Sequence, residues 1–393
     1  MLKQSLVIFV LISQTLWAQS PLLLNQHWFL KSDGLTESDV IKIDLQDTRD
    51  RSNWLMQVGN QTPTPLKTEI SVDNLKPGDY TLRVYNPNLE NSGASANIHV
   101  SYPLYVVVST DWDDTRTGNR VLNNIEALHR QFHDLRLTHF FAPYHYTDPQ
   151  ISSARKLEID RFIKRQRDLY GDEIGVHIHG WCHFIQTTGV PCRTAETFGT
   201  DDGTGYTTIL AAYQLDEMTR ILGAAVDMYA KHDLGRPRSF RAGGWTADET
   251  VFKALEANHF MVDSSAVPPN YLTPWKGYAL YDWNMAHWSH ITETSQPYFP
   301  GVNILEVPDN GVLVDYVSVA DMINTYNLNH PGGGPLAKST VYQIGFHPVD
   351  SFSQERYQRI VDTLKYVEKH SYAQDLGPVK YVTARELTQV SFF

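Results

Sequence analysis

From residue 104 onward, the sequence alternates short continuous apolar runs with segments of helical periodicity. The run LYVVVST (104–110) is apolar without alternation, which is typical of a strand buried on both faces. The next segment, NRVLNNIEALHRQF, has a helical apolar stripe made of Val121, Leu122, Ile125 and Leu128. Strand-like stretches then recur as LTHFFAP, EIGVHIH, PRSFRAG, HFMVDSS, STVYQIGFHP and VKYVT. This alternation predicts an α/β fold, either a βα barrel or a doubly wound sheet.

The segments between these strands predict helices. One begins at Ser152 or Ser153 and ends at Gly171, and the others cover about 211–231, 246–257 and 354–370, with a last helix at the end of the chain. Two long aromatic segments, 184–210 and 265–300, show no regular period. We expect them to be loops that line a substrate groove.

The part of the chain before residue 102 has a different pattern. Short strand-like stretches (VIKIDL, WLMQV, LKTEISV, YTLRVYN and ANIHV) are separated by turn residues. They predict a small all-β sandwich over residues 24–101, followed by the α/β domain over 104–393. The stretch LKPGDYTLRVYN resembles the end of a fibronectin-type or immunoglobulin-like module. Such modules are usually spacers or sugar-binding accessories.

The first residues, MLKQSLVIFVLISQTLWAQS, have the pattern of a secretory signal peptide. One Lys precedes an apolar run, and small and polar residues follow, so cleavage is expected after Ala18. The protein is therefore predicted to be exported, to the periplasm or the medium, with no transmembrane segment once residues 1–18 are removed. A net charge of −11 argues against nucleic acid or an anionic membrane as a partner.

Only two cysteines are present, Cys182 and Cys192. In an exported chain they are candidates for a disulfide that closes a short loop. The alternative is a pair of buried thiols.

Polar residues follow the apolar runs at the points where the predicted strands end. They are Asp111, Asp113 and Asp114 after the first run, His177, His179 and His183 around the third, then Arg241, Asp263 and His347. The carboxyl ends of the strands form the catalytic face of a βα barrel, so these side chains are expected to meet there.

Three histidines close to a group of aspartates predict a site for a divalent cation, with Zn²⁺ as the expected ion. His177 and His179 are two apart and would share a strand face, whereas His179 and His183 are four apart and would share a helical turn. Any two of the three could bind one ion, and the spacing prefers His179 with His183.

The same residues suggest roles in hydrolysis. One aspartate would hold the ion and another would accept a proton from water. Arg241 could hold the base carboxylate in its ionised form, and His347 could protonate the leaving group.

The motifs STDWDD, HGWCH, RAGGW, VDSS and IGFHP, in this order, resemble those of the polysaccharide deacetylases of carbohydrate esterase family 4, the NodB-homology domain. The resemblance covers about residues 104–393, and the closing VKYVTARELT is also similar to the family's last strand and helix. It implies a distorted (β/α)₇ barrel, a Zn²⁺-type ion and hydrolytic removal of acetyl groups from amino sugars.

By this resemblance Asp111 is the base, Asp113 and two histidines are metal ligands, Arg241 orients the base and His347 is the acid. The sequence departs from the common pattern, because Trp112 separates the two aspartates and Asp114 stays an alternative ligand. Alignment of the family's Gly-x-His strand selects His177 as the first histidine ligand, whereas the His-x-x-x-His spacing selects His179. We prefer His179. The oxyanion donor is the backbone of Gly244 or of Trp245.

The sequence therefore predicts an exported metal-dependent hydrolase that removes N-acetyl groups from a polysaccharide or oligosaccharide. Two alternatives remain: an O-acetyl esterase or another C–N amidase on the same barrel, and a carbohydrate-binding surface protein without catalysis. The oligomeric state and the identity of the sugar are not predicted.

Overall fold

The structure is a computed structural model that describes residues 22–45, 51–89, 92–113, 115–195, 197, 203–349 and 353–392. The predicted signal peptide, residues 1–18, and the candidate ligand Asp114 lie outside the described residues. Within the described part of the chain, no helix is both long enough and apolar enough to cross a membrane.

The N-terminal part forms two small sheets around one hydrophobic core. A three-stranded sheet has the order β1-β3-β6, and a five-stranded sheet has the order β2-β8-β7-β4-β5, where the strands are β1 (Leu22–Leu24), β2 (Trp28–Leu30), β3 (Val40–Leu45), β4 (Leu55–Val58), β5 (Thr64–Pro65), β6 (Glu69–Ser71), β7 (Gly78–Tyr85) and β8 (Ala94–Ser101). Alternate residues of β3, among them Ile41 and Ile43, pack in one cluster with Leu82 and Ile98 of the other sheet. This is the alternation that VIKIDL predicts.

The rest of the chain is a mixed α/β fold around a curled parallel sheet of eight strands. The order is β14-β13-β12-β11-β10-β9-β15, and β16 also pairs with β9, where the strands are β9 (Leu104–Asp111), β10 (Leu137–Phe141), β11 (Glu173–Ile178), β12 (Ser239–Ala242), β13 (Val262–Asp263), β14 (Leu305–Glu306), β15 (Thr340–Phe346) and β16 (Val379–Tyr381). The chain beyond β14 reaches β15, because Gly311 N–H donates to the Gln343 carbonyl and Gly345 N–H donates to the Val312 carbonyl. These bonds bring the two edges of the curled sheet together.

Helices alternate with these strands: α1 (Asn119–Gln131), α2 (Ser153–Tyr170), α3 (Cys182–Ile185), α4 (Leu215–Lys231), α5 (Glu249–Ala257), α6 (Ala279–Trp288), α7 (Val319–Asn329) and α8 (Gln354–Val367). The start and stop of α2 follow the sequence, since the Ser152 hydroxyl caps its first turn and Gly171 ends it at φ 73°. The expected last helix is a short 3₁₀ segment, Arg385–Gln389.

Strand β9 is buried on both faces, and its alternate residues belong to two different cores. Val106 and Val108 pack with the helices, whereas Tyr105 and Val107 pack inside the curl of the sheet. Alternate residues of β11, β12 and β15, among them Val176, Phe240 and Ile344, likewise pack with the helices. This alternation decides which side chains reach the interior of the sheet at its carboxyl end.

The N-terminal part is attached to the α/β part through polar contacts. The buried Tyr105 hydroxyl donates to the Asp33 carboxylate at 2.8 Å, and the more exposed backbone N–H groups of His27 and Trp28 donate to Asp375 at 2.7 Å each. Because the buried Tyr105 and Asp33 would lose this bond if the two parts separated, their contact favours one fixed arrangement.

Candidate active site

The carboxyl ends of β9, β11, β12 and β15 open onto a cavity of about 530 Å³. Its walls combine polar groups predicted from the sequence with several aromatic rings. The lining residues are Asp111, Asp113, Arg116, His177, His179, Trp181, Tyr206, Ala242, Gly244, Trp245, Trp275, Leu280, Tyr316, His347 and Val349. The structure therefore brings most of the predicted site residues to one place.

Asp113, His177 and His179 form a three-residue cluster in this cavity. The Asp113 Oδ1 atom lies 2.9 Å from His177 Nε2 and 3.3 Å from His179 Nε2. One ligand atom from each residue lies within 4.8 Å of the other two. Two imidazoles and one carboxylate are a usual donor set for a divalent cation such as Zn²⁺.

Backbone carbonyls hold both imidazoles of this cluster. His177 Nδ1 is 2.9 Å from the Arg241 carbonyl oxygen, and His179 Nδ1 is 2.9 Å from the Tyr206 carbonyl oxygen. A carbonyl only accepts, so each Nδ1 carries a hydrogen and the Nε2 atom of each ring faces Asp113. Two ring nitrogens and a carboxylate oxygen facing one another fit a bound cation.

His183 does not belong to this cluster. Its Nδ1 lies 2.8 Å from the Thr147 hydroxyl, and the residue sits on α3 after the turn at Gly180 and Trp181. Whereas the sequence spacing prefers His179 with His183, the structure groups His179 with His177 and Asp113. The physical reason is the strand alternation, because residues two apart at the end of β11 point to the same side.

Asp111 lies beside the cluster and is held by Arg241. The Arg241 guanidinium donates to Asp111 Oδ1 at 2.8 Å, and also to the Ser109 hydroxyl, the Ser264 hydroxyl and the Ser264 carbonyl. Arg241 is fully buried and Asp111 is only 2% exposed. This network fixes the direction of the carboxylate and keeps a charge partner beside it.

The inserted Trp112 explains how two separated aspartates share one site. Its side chain is buried among the helices, and its Nε1 donates to the Thr110 hydroxyl at 3.0 Å. Asp111 and Asp113 consequently point to the opposite face, toward the cavity. The spacing of two residues therefore follows from the alternation of a strand.

His347 lies across the cavity from Asp111. Its Nδ1 is 3.0 Å from Asp315 Oδ2, and its Nε2 is 3.5 Å from Asp113 Oδ2. Burial by itself would lower the pKa of His347, but the negative charges of Asp113 and Asp315 raise this pKa to about 10. Arg356 contacts the other oxygen of Asp315 at 2.8 Å.

Asp315 is a site residue that the sequence analysis missed. It follows the short apolar run GVLV, which is the same pattern that drew attention to Asp111. The pattern was present, but the run lies in a stretch without regular strand and helix alternation. Asp263, in contrast, does not reach the cavity: it is fully buried, and its carboxylate accepts from the Ser265 N–H and hydroxyl.

Gly244 and Trp245 form a strained turn at the edge of the cavity. Both have left-handed backbones, with φ of 61° and 56°, and such a conformation is uncommon for Trp. Asn284 and Trp288 of α6 donate to their carbonyl oxygens at 3.1 and 2.9 Å. Because the C=O and N–H of a trans peptide point in opposite directions, the Trp245 N–H points away from Asn284.

A disulfide joins Cys182 and Cys192 beside the cavity. Cys182 follows Trp181, which lines the cavity wall together with Tyr206, Trp275 and Tyr316. Flat aromatic rings offer stacking surfaces of the kind that sugar rings use.

No family model and no curated protein matches this chain. Several solved structures are similar to it. One is a protein from Mycobacterium smegmatis named as a polysaccharide deacetylase, with 13% identity, coverage of 73% of this chain and 89% of that chain, and a TM-score of 0.45. Another is a family 4 acetyl xylan esterase from Clostridium thermocellum, with 11% identity, 72% and 89% coverage, and a TM-score of 0.37. A third is the chitin deacetylase of Colletotrichum lindemuthianum, with 13% identity, 72% and 87% coverage, and a TM-score of 0.36. Because all three TM-scores lie below 0.5, we base the proposed function on the geometry of the site.

Proposed function

We propose that this protein is a metal-dependent hydrolase that removes acetyl groups from a carbohydrate. One observation carries the proposal: a single cavity is lined by a cluster that could hold a cation, by a carboxylate fixed by arginine and by a histidine held by a second carboxylate. Hydrolysis of an acetyl group needs an activated water, a base and an acid, and these three groups supply each of them.

The cluster of Asp113, His177 and His179 would hold a divalent cation, with Zn²⁺ as the expected ion. When bound, such a cation supplies a Lewis acid that polarises water and the acetyl carbonyl. Asp111 accepts the proton of the water that attacks the carbonyl carbon. Arg241 keeps this carboxylate directed at the cavity throughout the reaction.

His347 acts as the general acid. As the bond between the acetyl carbon and the sugar nitrogen breaks, its Nε2 donates a proton to the nitrogen, so that acetate and a free amine leave. Asp315 Oδ2 holds His347 Nδ1 at 3.0 Å, and its negative charge favours the protonated ring. We propose the Trp245 N–H as the donor to the carbonyl oxygen, with the Gly244 N–H as the alternative.

Acetate release tests this proposal. The purified protein is incubated with N-acetylated chito-oligosaccharides and, separately, with O-acetylated xylo-oligosaccharides. We expect acetate from the N-acetylated substrate and a loss of about 10²- to 10⁴-fold in kcat for Asp111→Asn. Asp168→Asn, a change at an exposed aspartate on α2, is the matched control and should keep full activity.

The outcomes separate the candidate functions. Acetate released only from the O-acetylated substrate would make the protein an esterase. Sugar binding without acetate release would favour the non-catalytic alternative. Unchanged activity of Asp111→Asn would overturn the assignment of the base.

We also propose that the protein works outside the cytoplasm. The signal-peptide pattern of residues 1–18 supports this, as does the disulfide between Cys182 and Cys192, since disulfides persist in oxidising compartments. Mass spectrometry of the exported protein should find Gln19 at its N-terminus, and a cytoplasmic chain that keeps Met1 would contradict the proposal.

A further inference from the structure

Tyr206 contacts two of the three residues of the cation-binding cluster. Its hydroxyl donates to Asp113 Oδ2 at 2.7 Å, and its carbonyl oxygen accepts from His179 Nδ1 at 2.9 Å. Its ring stacks on the His179 imidazole, with centroids 4.3 Å apart and planes 27° apart. One loop residue therefore sets the positions of both side chains.

The two oxygens of Asp113 have different partners. Oδ1 faces the Nε2 atoms of His177 and His179 at 2.9 and 3.3 Å. Oδ2 accepts the Tyr206 hydroxyl. A carboxylate that is held through one oxygen cannot rotate freely, so the Tyr206 hydroxyl keeps the other oxygen directed at the cation position.

The loop that carries Tyr206 is fixed against the disulfide. Cys182 N–H donates to the Thr204 carbonyl at 2.7 Å. Gly205 has φ 77°, and a Cβ atom there would lie 2.9 Å from Cys192 Sγ and 2.3 Å from the Gly180 carbonyl oxygen. Only glycine fits at this position, and the disulfide packs directly behind it. The position of Tyr206 thus depends on a covalently closed loop.

We propose that Tyr206 is a positioning residue for the metal site, held in place by the loop that the Cys182–Cys192 disulfide supports. The inference rests on the proposed function, because it assigns Tyr206 a role toward the proposed cation. The hydroxyl orients Asp113, and the carbonyl fixes the tautomer and direction of His179. Neither contact requires Tyr206 to touch the substrate.

Metal affinity tests this role without a substrate. The metal-free full-length protein is titrated with Co²⁺, and its visible absorption is recorded; Zn²⁺ affinity is then measured by competition with a chromophoric chelator. Tyr206→Phe removes the hydroxyl but keeps the ring and the carbonyl. We expect Zn²⁺ binding to weaken about 10-fold or more and the Co²⁺ absorption bands to change.

Tyr213→Phe is the matched control. Tyr213 is a buried tyrosine whose hydroxyl accepts from the Arg193 N–H, which lies outside the cluster. If looser packing of the loop alone weakened the metal site, this variant would lose affinity too. We expect it to keep the wild-type affinity and the wild-type Co²⁺ spectrum.

The outcomes distinguish this inference from the proposed function. Wild-type protein that binds neither ion would overturn the metal site and the role of Tyr206 together. If wild type binds and Asp113→Asn does not, while Tyr206→Phe matches wild type in affinity and spectrum, the metal site stands and the role of Tyr206 is wrong. Equal losses in Tyr206→Phe and Tyr213→Phe would also overturn it.

Discussion

Replacing His177 by glutamine should weaken Zn²⁺ binding strongly, whereas replacing His183 by glutamine should leave Zn²⁺ binding almost unchanged. His177 Nε2 lies 2.9 Å from Asp113 Oδ1, inside the three-residue cluster. His177→Gln removes one of the three proposed metal ligands. Replacing a partner that only supports a ligand already costs about 10- to 100-fold in metal affinity, so we expect a loss of at least about 100-fold here.

His183→Gln removes a hydrogen bond to the Thr147 hydroxyl and no ligand. The net value of such a bond is about 0.5–1.5 kcal/mol, so the free energy of unfolding should fall by about 1 kcal/mol. Zn²⁺ affinity should stay within about twofold of wild type, because the lost hydrogen bond is weak and lies outside the three-residue cluster.

Both quantities are measured on metal-free protein. Zn²⁺ affinity comes from competition with a chromophoric chelator, and the free energy of unfolding comes from urea titration. The reasoning is refuted if His183→Gln loses affinity strongly while His177→Gln binds like wild type, since the ligand pair would then be the one that the sequence spacing prefers.

Three further predictions concern the disulfide, Asp315 and His330. Replacing Cys182 and Cys192 by serine, which opens a loop with a sequence separation of 10, should lower the free energy of unfolding in urea by about 3 kcal/mol, and an unchanged midpoint would contradict this. Asp315→Asn keeps an oxygen acceptor but removes the negative charge that faces His347 Nδ1, so kcat for acetate release should fall about 10-fold or more with little change in KM; a change in KM alone would argue against the role. Burial and the neighbouring His370 lower the pKa of His330 to about 4, below its unfolded value of about 6.5. Between these two pH values the unfolded chain binds a proton at His330 and the native chain does not, so the free energy of unfolding falls as pH drops from about 6.5 to 4. In thermal melts over this range, His330→Gln should lose less stability than wild type, and an equal slope would show that His330 does not contribute.

The strands could be predicted because burial on both faces leaves a strong pattern of apolar residues. The apolar run at 104–110 corresponds to β9 (Leu104–Asp111). Helix α2 begins and ends at the capping residues that the sequence indicated. The polar residues at the strand ends also came together, since parallel strands end at the same edge of a sheet.

The elements between 265 and 330 were less predictable. Helix α6 (Ala279–Trp288) lies in a segment expected to be a loop, and α7 (Val319–Asn329) and β14 (Leu305–Glu306) were not foreseen. Helix α6 is apolar and aromatic around most of its circumference, so it shows little periodicity. A strand of two residues is too short to show alternation.

The sequence could narrow the candidate metal ligands to three histidines and the neighbouring aspartates, but it could not decide which of them share one site. Spacing of four suggested one helical turn for His179 and His183, yet the turn at Gly180 and Trp181 directs His183 toward Thr147. Tyr206 reaches Asp113 across 93 positions of sequence, and no local pattern reports such a contact. The contacts of a side chain that is carried by a long loop can be identified only from the tertiary structure.

Restoring activity with measured amounts of Zn²⁺ tests the central claim most directly. The protein is stripped of metal with a chelator, the chelator is removed, and acetate release from an N-acetylated oligosaccharide is followed as Zn²⁺ is added in fractions of an equivalent. The account predicts no acetate from the stripped protein, a linear recovery that ends at one Zn²⁺ per chain, and no recovery in Asp113→Asn. Full acetate release from the stripped protein would contradict it.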